Sequence, residues 1–345
     1  MPSRTVTPAV EADHDPGADL AGARGEDVAA AAAEPIEAPG GSQVLIGTAS
    51  WTDPTMTASG VFYPSGADTA EERLAYYAST FPVVEVDATY YALPAERTAQ
   101  LWAERTPPDF TFDIKAHALM TGQGTETKRL PKAIRDELTA ELREKSRIYA
   151  KDLPSELYDE VWRIFRSALQ PLAERGQLGS ILLQYPKWVF PSNENRALIE
   201  DAVERLDGWK GAVEFRNGSW LNEKNVERTL RFLADRSIPF VMVDEPQGFK
   251  SSVPPEVAVT SEDLALVRFH GRNAETWEKK NITPAERFRY LYSRDELAEW
   301  VPKIREVASE AKEVHLMFNN CYANYGTTNA REIASLLADL ESDAA

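Results

Sequence analysis

The feature of this chain that most constrains its fold is a regular alternation of short apolar runs with amphipathic helical stretches from Gln43 onward. Strands that alternate with helices form right-handed βαβ units and a parallel sheet. Eight such units in about 300 residues match a TIM (β/α)8 barrel, which we therefore predict as the fold. The predicted strands are Val44–Thr48, Val83–Asp87, Thr111–Lys115, Ser180–Gln184, Ala212–Arg216, Phe240–Asp244, Leu264–His270 and Val314–Asn319.

Amphipathic stretches fit between most of these runs, and several begin with residues that favour helix N-caps. The predicted helices are Thr69–Thr80, Ala95–Arg105, Ser155–Arg175, Asn193–Leu206, Asn222–Asp235, Ser293–Ala311 and Thr328–Leu340. Residues 116–158 form a long charged insertion between the third and fourth predicted strands. Loops that follow barrel strands lie over the catalytic face, so this insertion is a candidate lid.

Residues 1–42 differ in composition from the rest of the chain, being rich in Ala, Gly, Pro and acidic residues and free of aromatics. Such a segment buries too little apolar area to offset the entropy of ordering. We predict a disordered acidic tail over residues 1–42 and a single TIM-barrel domain over residues 43–345.

Charge and hydropathy narrow the range of partners. The net charge is −17, of which the tail contributes −6 and the remainder −11. An acidic body repels nucleic-acid phosphates unless a local basic groove overrides it, which disfavours nucleic acid without excluding it. No apolar run is long enough to span a bilayer and no secretory signal is present, so we expect a cytoplasmic protein without a membrane partner. The single Cys321 excludes an internal disulfide.

Side chains alternate between the two faces of a strand, and this rule separates an apolar set from a polar one in strands two to eight. The apolar set, expected to face the helices, ends each strand with Val86, Ile114, Leu183, Phe215, Val243, Phe269 and Phe318. The opposite set should face the inside of the barrel, or lumen. It comprises Glu85 and Asp87, Asp113 and Lys115, Leu182 and Gln184, Glu214 and Arg216, Met242 and Asp244, Arg268 and His270, and Met317 and Asn319. Polar groups at so many strand ends predict a site at the C-terminal mouth.

Residue type suggests the role of each group in this site. The candidates for general acid–base catalysis are Glu85, Glu214, Asp244 and His270. The candidates for substrate binding are the possible oxygen clamps Lys115, Arg216 and Arg268, the amides Gln184, Asn319 and Asn320, and the aromatics Trp51 and Tyr90. Pairs such as Glu214 with Arg216 could instead be mutual supports that keep the lumen hydrated.

The sequence does not decide whether the protein binds a cofactor. Glu85, Glu214, Asp244 and His270 are also the candidate ligands of a divalent metal, but the nearby cations already offset much of their charge. No Walker loop, nucleophile elbow or dinucleotide fingerprint is present. The segment 326–329, which opens the last predicted helix, could present N–H groups to a phosphate.

Motifs spread along the chain from about Val44 to Leu340 resemble those of the domain-of-unknown-function 72 family, the YecE-like proteins. They are residues 46–51 (IGTASW), 62–64 (FYP), 84–91 (VEVDATYY), 110–115 (FTFDIK), 183–186 (LQYP), 213–220 (VEFRNGSW), 268–271 (RFHG) and 318–320 (FNN). The resemblance implies a TIM barrel. It implies little about the reaction, because similarity to sugar-isomerase-like and endonuclease-IV-like barrels is an analogy of fold alone.

The chain departs from the family pattern at several positions of these motifs. The family commonly has Ser-Gly where this chain has Ala49-Ser50, Asn in place of Asp87, and His in place of Asn217. Many relatives are expected to carry His in place of Gln123. The loss of two histidines weakens the case for a metal site.

Three hypotheses of function follow. The leading one is an enzyme that uses acid–base chemistry on a small polar substrate, either sugar-like or phosphorylated, and it predicts that Glu214→Gln folds normally but loses ligand binding or turnover. The second is a metal-dependent phosphodiesterase or nuclease whose basic rim would be residues 128–151. The third is a non-catalytic binding barrel. A small-molecule ligand is expected, and the oligomeric state is left open.

Overall fold

Eight parallel strands form the barrel in the computed structural model, which describes residues 16–29 and 31–342. Each predicted strand is present, with its ends shifted by at most two residues. The strands are β1 (Gln43–Ala49), β2 (Val83–Val86), β3 (Thr111–Lys115), β4 (Leu178–Tyr185), β5 (Gly211–Phe215), β6 (Val241–Asp244), β7 (Ala265–Phe269) and β8 (Glu313–Phe318). The prediction of a TIM-type α/β barrel is therefore confirmed.

The order of the strands in the sheet is β5-β4-β3-β2-β1-β8-β7-β6, and all of these neighbours are parallel. The ring closes weakly between β5 and β6. There Val213 forms a single parallel bridge with Phe240, and its N–H donates to the carbonyl of Pro239 at 2.8 Å. All C-terminal strand ends thus meet at one mouth, as the site prediction requires.

Helices separate most of the strands and cover the outside of the barrel. They are α1 (Pro16–Glu26), α2 (Pro54–Ser59), α3 (Ala70–Ala78), α4 (Ala88–Tyr91), α5 (Glu96–Glu104), α6 (Lys132–Glu137), α7 (Ala140–Glu144), α8 (Ser155–Glu174), α9 (Asn193–Arg205), α10 (Val226–Ala234), α11 (Pro284–Arg287), α12 (Arg294–Ala298), α13 (Val301–Glu310) and α14 (Tyr325–Ser342). Among the described residues, no helix has both the length and the apolar character needed to cross a bilayer.

Two predicted helices differ in extent from those observed. The stretch predicted as one helix from Ser293 to Ala311 divides into α12 and α13, and Pro302 lies in the first turn of α13. Proline is tolerated in a first turn because its missing N–H has no partner there. The helix predicted from Asn222 begins at Val226, because the Asn222 side chain accepts from the N–H of Asn225 at 3.1 Å and forms a turn instead.

The prediction of a disordered tail over residues 1–42 is wrong for α1. Ala18 and Ala21 are buried, the hydroxyl of Thr328 on α14 donates to the Ala21 carbonyl at 2.7 Å, and Arg24 bonds the carboxylate of Glu332 and the Tyr292 carbonyl. Small alanines allow close approach of α1 to α14, and the arginine fixes it there. Ile36–Glu37 also pairs with β1. Residues 1–15 lie outside the described residues.

The insertion at residues 116–158 is a folded lobe with a small apolar core. A two-stranded ribbon joins Thr125–Glu126 to Arg147–Ile148, and Ile134, Leu138 and Ile148 are buried. The lobe reaches the mouth through Gln123. That side chain accepts from the Tyr90 hydroxyl at 2.8 Å and donates to the Gln184 carbonyl at 3.2 Å. Its role as a lid stays a prediction.

Strand β6 is the one place where the predicted faces are reversed. Arg268 points into the lumen, and its register partner on β6 is Val243, whereas Asp244 is paired with the helix-facing Phe269. Register partners in parallel strands carry their side chains on the same face, so Val243 faces the lumen and Asp244 faces the helices. A register shift of one residue moves every side chain of a strand to the opposite face of the sheet.

Candidate active site

The floor of the mouth is a buried arginine shared by two glutamates. Arg268 on β7 forms a bidentate ion pair with Glu85 on β2, with 2.8 Å between Nε and Oε2, and its Nη1 bonds Glu214 Oε2 on β5. The side chains of all three residues are completely buried. Three strands from different sectors of the barrel are thereby joined across the lumen.

Glu214 connects this floor to the groups above it. Its Oε1 accepts from Gln184 Nε2 at 2.8 Å and lies 3.3 Å from Arg216 Nη1 and 3.1 Å from His270 Nε2. His270 Nδ1 lies 2.9 Å from the amide nitrogen of Asn319. An amide N–H that donates to Nδ1 leaves the imidazole proton on Nε2, where it is donated to Glu214. Both ring nitrogens of a neutral His270 are therefore satisfied.

Burial and pairing set the ionisation of these groups. Burial opposes the charge on Glu214, but Arg268, His270 and Arg216 outweigh it and hold the pKa of this carboxyl well below its usual range. Burial raises the pKa of Glu85 to about 7 against the opposing charge of Arg268. Burial also lowers the pKa of His270 to about 4, so the imidazole is neutral at pH 7.

Above the floor lies a cavity of about 540 Å³, a size typical of small-molecule sites. Its polar lining includes Asp87, Lys115, Gln184, Arg216, Arg287 and Asn319. Tyr90, Tyr91 and Phe288 supply aromatic walls. The cavity is thus charged and polar with an aromatic rim.

One ion pair in the cavity lining is partly open to solvent. Lys115 Nζ lies 2.9 Å from Asp87 Oδ1, with side-chain exposures of 14% and 26%, and 5.3 Å from the centre of the Tyr90 ring. Burial opposes both charges, but the pairing outweighs it: the pKa of Lys115 is raised and that of Asp87 is lowered. Both groups are therefore charged at neutral pH and accessible to a ligand.

Glu245 is a residue of the mouth that the sequence interpretation missed. Its Oε2 lies 3.2 Å from Arg216 Nη1, its Oε1 accepts from the N–H of Val253 at 2.7 Å, and burial raises its pKa to about 7. Arg216 is held between Glu214 and Glu245, with its guanidinium 4.6 Å from the centre of the Trp277 ring. The sequence interpretation had placed Asp244 in the mouth instead, because the predicted faces of β6 are the reverse of those observed.

The loop of residues 271–293, between β7 and α12, covers one side of the mouth. Its Phe288 and Trp277 lie against His270, with ring centres 5.7 Å and 6.3 Å away. The same loop contributes Arg287 to the cavity lining. No motif marked this loop as functional, and only its position in the barrel brings Arg287 to the mouth.

Three predicted site residues belong neither to the cavity lining nor to the buried network beneath it. Asp244 accepts from the Tyr292 hydroxyl at 2.8 Å and from Trp300 Nε1 at 2.7 Å, and forms an ion pair with Arg272 at 2.8 Å. Trp51 packs edge-on against Trp102 at 5.7 Å. Asn320 donates at 2.8 Å to the Tyr290 carbonyl and to Asn329 Oδ1. These residues support the barrel and its loops.

The segment 326–329 also serves packing. Asn329 is buried and its amide nitrogen donates to the Tyr292 carbonyl at 3.1 Å and to Glu332 at 2.8 Å, while α1 lies against Thr328. The position predicted to bind a phosphate is therefore filled by other parts of the protein.

The four candidate metal ligands do not converge on one point. Arg268 already provides the cation between Glu85 and Glu214, and Asp244 faces the helices. Within residues 16–29 and 31–342, no group of three or more His, Cys, Asp or Glu side chains is arranged to hold a metal ion. These donors, as arranged, do not fit a divalent ion.

A second buried polar cluster lies deeper in the lumen. Asp113 Oδ1 accepts from the Ser180 hydroxyl at 2.7 Å, and its Oδ2 lies 2.7 Å from His315 Nδ1, while Glu313 Oε1 lies 2.9 Å from His315 Nε2. Burial opposes a charge on His315, but the two carboxylates outweigh it and raise its pKa to about 10. This cluster lies toward the N-terminal end of the strands, where conserved polarity in barrels usually serves stability.

Comparison with known proteins places this architecture among uncharacterised relatives. The family model described as "Protein of unknown function DUF72" matches residues 45–344. UPF0759 protein YunF of Bacillus subtilis is 30% identical over 302 residues, covering 86% of this chain and 95% of that protein. A DUF72 family protein from Thermotoga maritima is 29% identical with a TM-score of 0.66, covering 86% of this chain and 99% of the other. One from Enterococcus faecalis is 26% identical with a TM-score of 0.68, covering 86% and 95%.

Proposed function

This chain belongs to the DUF72 family of TIM-type barrels, and from that premise we propose that it is an enzyme whose small polar substrate binds and reacts in the mouth cavity. The observation that carries the proposal is the cavity itself. It lies at the C-terminal end of the strands, where TIM-barrel enzymes build their sites, and is lined by charged side chains above a rigid, buried ion network.

Acid–base chemistry in this cavity is assigned to Asp87 and Lys115. A substrate that separates this pair, whose Nζ and Oδ1 atoms lie 2.9 Å apart, removes the mutual stabilisation of the two charges, so that the carboxylate can accept a proton from the substrate and the ammonium group can deliver one to a neighbouring substrate atom. Both groups are partly exposed, whereas Glu85, Glu214 and Arg268 are fully buried and paired with one another. The substrate is sugar-like or phosphorylated, since its hydroxyl and oxyanion groups would match the amides and cations of the lining.

The buried network positions the groups that meet the substrate. Glu214 orients Gln184 and Arg216, and through His270 it also orients Asn319. His270 itself lies beneath Trp277 and Phe288 with both nitrogens engaged, so its role is to hold neighbours in place rather than to carry protons. Preorganised donors of this kind are typical of catalytic sites.

Native mass spectrometry of the purified protein, with elemental analysis, would identify a co-purified ligand or metal and define a panel of related sugars and sugar phosphates. Asp87→Asn should lower kcat/KM for the responsive compound at least about 100-fold, because it removes the proton acceptor. Asp263→Asn is the matched control. It also removes an aspartate paired with a lysine, at 2.6 Å, but the pair is exposed and precedes β7, at the far end of the barrel. Equal activity of both variants would refute the assignment.

The alternatives give different results in the same experiments. A metal-dependent phosphodiesterase would retain a divalent ion on purification and cleave phosphodiesters, although the four candidate ligands do not converge. A non-catalytic binding barrel would bind a panel compound, and Asp87→Asn would change its affinity without any turnover by the unmodified protein.

A further inference from the structure

The most unusual group in the mouth is Arg287, because its guanidinium bonds only uncharged acceptors among the described residues. Nη1 donates to the carbonyls of Thr276, at 3.1 Å, and Trp277, and Nη2 donates to the carbonyl of Lys279 at 2.7 Å. Burial and the neighbouring cation Arg216 both lower the pKa of Arg287. No carboxylate of the described residues forms an ion pair with Arg287, so the positive charge of this arginine is not neutralised there at close range.

The local structure holds Arg287 in this position. It ends the short helix α11, which begins with a capping box formed by Thr283 and Glu286. The Thr276 hydroxyl donates to the Arg287 carbonyl at 2.8 Å, closing a loop around the side chain. The charge of Arg216, although paired with Glu214 and Glu245, disfavours the positive charge of Arg287, and an anionic ligand between the two guanidinium groups would offset that cost.

Arg216 and Lys115 line the same cavity as Arg287. Arg216 uses Nη1 for Glu214 and Glu245, and its guanidinium is fixed over Trp277. We propose that Arg287, Arg216 and Lys115 form an oxyanion-binding site completed by the loop of residues 271–293, and that the substrate is a small organic anion bearing a phosphate or carboxylate group. This inference rests on the proposed function and specifies its substrate class. Arginine suits such groups because its planar donors match paired oxygens.

The probe that tests this site is inorganic phosphate, titrated into the full-length protein at low ionic strength and followed by calorimetry. Arg287→Ala should raise the dissociation constant at least tenfold, and Arg287→Lys should give an intermediate value because the charge remains without the planar fork. Lys280→Ala is the matched control, since it removes a positive charge from an exposed position of the same loop and should change the constant less than twofold.

Two further measurements locate the bound phosphate. The lobe of the insertion contains another cavity, of about 710 Å³, lined partly by Arg135 and Arg143. If Arg135→Ala with Arg143→Ala abolishes binding and Arg287→Ala does not, the inference is overturned. In the unmodified protein, phosphate should protect Arg287 from phenylglyoxal, as measured by mass spectrometry, and this readout does not depend on the folding of a variant. Absence of protection at saturating phosphate also overturns it.

Sugar acids, added to the panel of sugars and sugar phosphates, show whether the bound oxyanion is a carboxylate or a phosphate group. Turnover of a neutral sugar that phosphate does not inhibit would refute the anion site and leave the proposed enzyme intact. Phosphate binding that requires Arg287, without turnover of any compound, would refute the enzyme and leave the anion site intact.

Discussion

At the scale of single residues, the mouth separates charged groups that touch the cavity from charged groups that support it. The carboxylate of Glu214 accepts a hydrogen bond from Gln184 and contacts the side-chain nitrogens of Arg216, Arg268 and His270. The side chain of Glu214 has no exposed surface. This arrangement favours the mutual-support interpretation for Glu214 over a direct role in proton transfer. It changes the expectation that Glu214→Gln would fold normally.

We predict that Glu214→Gln lowers the free energy of unfolding by about 3 kcal/mol, because Arg268 keeps its buried charge but loses one of two carboxylates. Urea unfolding at pH 7 measures this. The control is Glu227→Gln, which removes a carboxylate with 83% exposure from its pair with Arg231 and should cost less than about 1 kcal/mol. Equal stability of the two variants would show that the network is not a support.

His315 makes stability depend on pH in the alkaline range. Its pKa is raised from 6.5 to about 10 in the folded protein, so its contribution is complete below pH 6.5 and lost as pH rises to about 10. The free energy of unfolding should therefore fall between pH 7.5 and 10, as followed by urea unfolding at several pH values. His315→Gln should show a flatter profile over this range, although its stability at pH 7 is lower. Parallel profiles would contradict a charged His315.

At the scale of elements, β6 shows that the register of a strand determines whether a carboxylate lies in the candidate site or supports the structure outside it. Phe240 to Val243 is apolar throughout, so the sequence of β6 does not reveal which face is which. The bridge between Val213 and Phe240 and the register with β7 decide it. Asp244 consequently ties β6 to Tyr292, Trp300 and Arg272 outside the lumen.

Asp244→Asn should therefore behave as a structural variant. We expect a loss of about 2 kcal/mol in the free energy of unfolding, since charge-assisted bonds to Arg272, Trp300 and Tyr292 weaken. Phosphate affinity should stay within twofold of the unmodified protein, in contrast to Arg287→Ala. A strong loss of phosphate affinity with unchanged stability would instead place Asp244 in the binding site.

At the scale of the whole molecule, an acidic protein carries cations where the barrel opens. The net charge is −17, yet Lys115, Arg216 and Arg287 line the mouth cavity. The basic run in the insertion is less available, because Lys128 pairs with Glu126 and Lys145 with Asp152. This distribution agrees better with a small anion at the mouth than with a nucleic-acid groove across the lobe.

The sequence alone determined the barrel, because eight short apolar runs alternate with seven amphipathic helical stretches and each pattern depends on local chemistry. It also determined that Glu85, Lys115, Gln184, Glu214, Arg216 and Arg268 gather at the lumen, since alternation on those strands is unambiguous. Only the tertiary structure decided that Asp244 lies on the helix-facing side of β6 and that Glu245 and Arg287 belong to the mouth. It also decided that α1 packs on α14. The reason is physical: register between strands and the path of a long loop depend on contacts between residues far apart in sequence.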